Sequence, residues 1–153
     1  MRQLVEPKSA RMSPIEEADR LLSAVMPFAE KMLSKHEEFF PFGGAIRSDG
    51  SIVSFGIYDR RGSPPAASVM KDLLTSLRND ARHGLIDASA LVHHTSLTDP
   101  QIKPKDAVVV SLDHRGGFSA NLVFPYVVQS GVVRFGDSIR QVNEDIVFFP
   151  PLA

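Results

Sequence analysis

His93-His94 and His114, with Asp113 beside the last, are the side chains in this sequence best suited to hold a metal ion, because imidazole nitrogen and carboxylate oxygen both ligate zinc. Their spacing argues against it. Consecutive residues of a strand point to opposite faces, so His93 and His94 reach one ion only across a bulge. The chain has no His-Glu-x-x-His pair and no spaced acidic loop of the calcium-binding kind. The same neighbourhood offers a nucleophilic set, Ser111 or Ser119 with His94 or His114 and Asp113, the parts of acyl-transfer catalysis. No Gly-x-Ser-x-Gly elbow presents either serine, and Ser111, Ser119 and Asn121 read more simply as the polar side of a hairpin. Phe42-Gly43-Gly44 and Arg115-Gly116-Gly117 lack the glycine spacing and the Lys-Ser/Thr pair of a phosphate loop. The sequence therefore assigns no catalytic residue, no metal ligand and no cofactor.

The most distinctive stretch is Glu37-Glu38-Phe39-Phe40-Pro41-Phe42-Gly43-Gly44. Phe39, Phe40 and Phe42 are expected to pack at a helix-to-strand corner, as clustered Phe and Pro more often pack than bind. The alternative is an aromatic recognition pocket formed with Tyr126 and Tyr58, with His94 and His114 nearby. Glu-x-Phe-x-Pro-Phe-Gly at the end of a helix, an Asp-Gly hairpin after it, and Phe124-Pro125-Tyr126 following a Gly-Gly hairpin resemble a group of small bacterial proteins with no assigned activity. The likeness runs over about residues 33–56 and 107–135. It implies bacterial origin and a shared fold, and no activity.

The elements that must position these residues are marked by local signals. Ser13-Pro14-Ile15-Glu16 combines an N-cap, a proline suited to the first helical position and the acid of a capping box. Ile15, Ala18, Leu22, Val25, Ala29, Met32 and His36 follow at spacings of three and four, with Leu21, Met26, Phe28 and Leu33 widening the stripe. Pro27 predicts a kink or a helix of two segments. A second helix is expected after Ser63-Pro64-Pro65, with Val69, Met70, Leu73, Leu77 and Ala81 on one face and Gly84 past its end.

Between and after the helices the period is two. Asp49-Gly50 predicts a tight hairpin that sets Ile46 against Val53, Gly44 against Phe55 and Phe42 against Ile57, leaving Gly43 against Gly56 as a strip without side chains. Around Arg115-Gly116-Gly117 a three-residue loop sets Leu112 against Ala120, Val110 against Leu122 and Val108 against Phe124, with Asp113, Ser119, Ser111 and Asn121 on a wet face. Ser130-Gly131 sets Val128 against Val133 and Tyr126 against Phe135. The expected fold is α+β, with an antiparallel sheet of at least five strands in the order α-β-β-α-β-β-β and the helices packed on one face. That order resembles profilin-like and roadblock-type domains, an analogy of fold that carries no functional residue. Residues 1–12 are expected to be a flexible N-terminus before a single domain over 13–153.

Composition bounds the function. The 153 residues are 43% apolar and 23% charged, the balance of a globular domain. Its 17 basic residues are scattered among 18 acidic ones, for a net charge of −1, which argues against a nucleic-acid partner. Without cysteine there is no disulfide framework and no thiolate site. No apolar run approaches a membrane span or a signal peptide, so no membrane partner and a cytoplasmic location are expected. The tail over residues 146–152, with Phe148 and Phe149, is too apolar to lie in water and should dock on its own domain or on a second copy. The expected function is protein association, as a homodimer or with another protein, without catalysis; the alternative is a small-molecule or metal-binding domain with its pocket near the Phe39–Phe42 corner and Tyr126.

Overall fold

The Ser13 hydroxyl accepts the Glu16 backbone N–H at 3.1 Å and the Glu16 carboxylate accepts the Ser13 N–H at 2.8 Å, so the capping box starts the first helix as expected. In a computed structural model that describes residues 13–36, 39–56, 65–97, 99, 101, 105–143 and 146–148, this helix, α1, runs Pro14–His36. It continues through Pro27 as one element. Strands β1 (Phe42–Arg47) and β2 (Ile52–Phe55) follow, then helix α2 (Ala66–Arg82). Strands β3 (Ile86–Ser96), β4 (Asp106–His114), β5 (Ser119–Gln129), β6 (Val132–Phe135) and β7 (Ile139–Gln141) complete the chain order. Residues 1–12, Ile57, Tyr58, Ser63, Pro64 and Phe149, on which several expectations fall, lie outside the described residues.

The fold is α+β on a seven-stranded antiparallel sheet in the order β2-β1-β3-β4-β5-β6, with β7 sharing the outer edge of β5 with β6. Residues Ala18, Leu21, Val25, Ala29 and Leu33 of α1 are buried against Phe42, Ile46, Ala88, Ala90, Val92, Val108, Val110 and Leu112. Small residues at the centre let the helix come close: a Cβ on Gly44 would stand 2.8 Å from Val25 Cγ1.

The helices do not share a face, which corrects the expectation. Val69, Leu73 and Leu77 of α2 pack on Ala45, Leu91 and Phe55, the side chains that alternate with those under α1, so the sheet lies between the two helices. Covering both faces makes β1 buried along nearly its whole length. That burial removes the parity cue, and the β1–β2 register differs from the expected one. Arg47 N–H donates to Ser51 O, Ile46 lies opposite Ile52 and Gly43 opposite Phe55, so the loop is Ser48-Asp49-Gly50 with Gly50 at φ 91°. The side-chain-poor strip is filled by the Phe55 ring, 2.8 Å from the Cβ position of Gly43.

The other two hairpins have the expected registers: Leu112 faces Ala120, Val110 faces Leu122, Val108 faces Phe124, Val128 faces Val133 and Tyr126 faces Phe135. The polar face of the Arg115-Gly116-Gly117 hairpin is wet only in part: Ser119 and Asn121 are half-buried. Asp113 and Ser111 are 2% and 5% exposed, Asp113 beside Asn143 and the Val147 backbone. Asn143 Nδ2 donates to Asp113 Oδ2 at 2.9 Å, and Ile146 O accepts from Arg78 Nε at 2.9 Å. Val147 and Phe148 then bury against Ala45, Leu77 and Ile86, so this part of the tail docks on its own domain.

Candidate functional site

Strand β1 pairs with β3 only as far as Phe42 opposite Val92, while β3 and β4 run on together to Ser96 and Asp106. The last residues of β3 therefore project past the start of β1 and leave a notch. The corner Phe39-Phe40-Pro41 closes it on one side, and Ala66 and Met70 from the first turns of α2 close it on the other. His93, His94, Asp106 and Tyr126 form its sheet wall, around a cavity of about 360 Å³, within the range of small-ligand sites. Because the notch lies at a strand edge, it is reached from both faces of the sheet. His93 and His94 point to opposite faces and still line one cavity.

Cross-strand geometry sets the polar groups. Asp106 lies opposite Tyr126 on β5 and opposite Ser96 on β3, which makes His94 its diagonal neighbour. His94 Nε2 is 2.9 Å from Asp106 Oδ1; an ionised carboxylate only accepts, so Nε2 carries the proton and donates. The His94 ring meets the Tyr126 ring edge-on at 6.4 Å between centroids. Burial, reinforced by the Asp106 charge, pushes the Tyr126 phenol up to about 12. At neutral pH that phenol is a donor and an acceptor, beside a carboxylate and an imidazole, in a wall completed by His93 and by Phe39, Phe40, Pro41, Ala66 and Met70.

The structure brings Phe39, Phe40, His94 and Tyr126 together and separates the rest. Phe42 is 1% exposed behind the corner, 4.8 Å from the Phe28 ring centroid, and packs rather than binds. His114 lies opposite Ala88, six residues along β3 from His94 and about 20 Å away in strand geometry, which removes it from the expected pocket. It is buried against Glu17 of α1. Phe148 sits on the α2 face, in the core. Tyr58 and Phe149 fall outside the described residues. The hydrolytic set does not assemble either: Ser111 Oγ donates to Asn121 Oδ1 at 2.6 Å and Asp113 binds Asn143, with no histidine bonded to either. Among the described residues no group of three or more acidic or histidine side chains is arranged around a metal position.

Asp106 is the important residue that sequence reasoning missed. The signal was present. Extending the register of the Arg115-Gly116-Gly117 hairpin places Asp106 opposite Tyr126. Ala66 and Met70 carried no comparable signal, because their approach depends on α2 lying on the second face of the sheet.

Compared with protein-family models, with curated proteins and with solved structures, the chain matches none. Among the described residues no helix is long and apolar enough to cross a membrane. The functional reading therefore rests on the site's own geometry.

Proposed function

We propose that this domain is a non-catalytic, cytoplasmic binding module for a small organic molecule held in the notch between the Phe39–Pro41 corner, α2 and the projecting ends of β3 and β4. The observation that carries the reading is the convergence of Phe39, Phe40, His94, Asp106 and Tyr126, from separate parts of the chain, around one cavity of about 360 Å³. An apolar wall with a few convergent polar groups is the usual composition of a ligand site. Native and denaturing mass spectrometry of tag-free protein tests it. Mass that is retained in the native spectrum, lost on denaturation and reduced by His94→Ala supports the reading. Protein without retained mass, whose His94 and Tyr126 resonances are unmoved by a small-fragment library, ends it.

A second reading is association, as a homodimer or with another protein and without nucleic acid. It now draws on the far side of the sheet rather than on the tail, since Val147 and Phe148 are already covered. Val127, Val132, Ile139 and Val142, on or beside β5, β6 and β7, are 39%, 52%, 37% and 83% exposed. A dimer mass in light scattering that Val132→Lys converts to monomer favours this reading; a monomer at high concentration removes the homodimer.

A further inference from the structure

Asp106 is the only side chain with a full formal charge among the described residues lining the notch; the remainder are Phe39, Phe40, Pro41, Ala66, Met70, Tyr126 and two histidines. Its carboxylate is not consumed by the contact with His94. One oxygen accepts the Nε2 proton at 2.9 Å, and a carboxylate has room for further donors on its remaining lone pairs. The side chain is 55% exposed and so open to a ligand. Phe39, Phe40 and Tyr126 line the same cavity, and the face of an aromatic ring attracts a cation that reaches it.

We propose that the notch selects a small organic cation, a primary or secondary ammonium on an apolar body, with the ammonium at Asp106 and the body among Phe39, Phe40, Met70 and Tyr126. The proposal rests on the binding-module reading above and names its ligand class. The upward displacement of the Tyr126 phenol, in which the Asp106 charge takes part, is consistent with a negative local field. The opposing influence is the N-terminal turn of α2, which supplies Ala66 to the rim and whose backbone dipoles favour an anion. That influence is about half a charge confined to one turn, against a full charge on Asp106.

The test uses three probes of one shape and different charge: 2-phenylethylammonium, 2-phenylethanol and 3-phenylpropionate, titrated into the full chain and followed by the His94 and Tyr126 side-chain resonances. The ammonium is expected to bind about tenfold or more tightly than the alcohol, with the carboxylate weakest. Asp106→Asn, which keeps an acceptor for His94, should erase the preference for the ammonium, bringing its affinity to that of the alcohol. Equal binding of ammonium and alcohol, tighter binding of the carboxylate, or an ammonium preference that survives Asp106→Asn overturns the cation inference and leaves the binding module standing. If none of the three moves His94 or Tyr126, the cation inference falls, and the binding module falls with it only where no mass is retained and the fragment library is also silent.

Discussion

Nε2 of His114, at the end of β4, lies 2.7 Å from Oε1 of Glu17, in the first turns of α1, with each side chain only 9% exposed. The other ring nitrogen accepts the Gly116 N–H at 2.8 Å, which fixes the tautomer: Nδ1 is bare and Nε2 carries the proton given to Glu17. This bond ties the helix to the sheet at the end remote from the notch.

Glu17→Ala should leave that N–H buried without an acceptor, at a cost of about 1–3 kcal/mol. Glu17→Gln keeps an oxygen in place and should cost less. His114→Ala removes the donor from a buried carboxylate and the acceptor from the Gly116 N–H together, and should be the worst of the three. Urea unfolding of the three variants checks the order. Wherever His114→Ala still folds, probe binding in the notch should equal that of the parent, whereas His94→Ala should weaken binding and leave the unfolding midpoint nearly unchanged.

The approach of α1 to β1 makes a second prediction. Gly44→Ala places a methyl 2.8 Å from Val25 Cγ1 and 3.5 Å from Leu21 Cδ1, an overpacking that should cost about 1–3 kcal/mol. Val25→Ala removes the obstructing methyls and opens a void of its own. In the double variant each change relieves the other, so its loss should be smaller than the sum of the single losses. Additive losses would mean that the helix shifts bodily instead.

These two sites also show what was legible in the sequence. The capping box at Ser13 and Glu16 was readable because both partners lie within one turn. The registers of the hairpins at Arg115-Gly116-Gly117 and Ser130-Gly131 were readable because near each turn polar residues, Ser111, Asp113, Ser119 and Asn121 in one and Gln129 and Arg134 in the other, alternate with the large apolar ones. The β1–β2 hairpin failed for the complementary reason: Ile46 and Ile52 serve α1 while Ala45, Val53 and Phe55 serve α2, and both parities look like core. Strand β7 was invisible, being three exposed residues defined only by their bonds to β5. Half of the notch was named in advance from its aromatics and His94. Asp106 and Met70 belong to it only through long-range pairing and through the placement of α2.

Asp113 makes a prediction about pH. Burial pushes its carboxyl above the ordinary value of 3.8, against the opposing pull of Ser119, the Val147 backbone, Asn143 and the Arg78 charge. A carboxyl raised in the folded state stabilises the fold when protonated. Its contribution is complete below 3.8 and is lost as pH rises through the folded value. The stability of the parent minus that of Asp113→Asn should therefore grow as pH falls from neutral toward 4. Urea midpoints of both proteins across that range measure it; a difference that shrinks instead would mean that the hydrogen bonds outweigh desolvation.

Tyr126 reports on the notch directly. The chain has two tyrosines, so Tyr58→Phe leaves a single phenol whose ionisation can be followed by its ultraviolet absorbance. Burial holds it near 12, with the Asp106 charge as the second cause. Asp106→Asn removes that charge and keeps the hydrogen-bonding shape, so the midpoint should fall while staying above the ordinary value of 10. A pH jump read before alkaline unfolding isolates the native phenol. If Asp106→Asn leaves the midpoint unchanged, solvent screens the carboxylate from the ring and burial alone raises the phenol. If the midpoint falls and then rises on adding 2-phenylethanol, which brings no charge, the ligand is displacing water from the ring and burial is the term being increased.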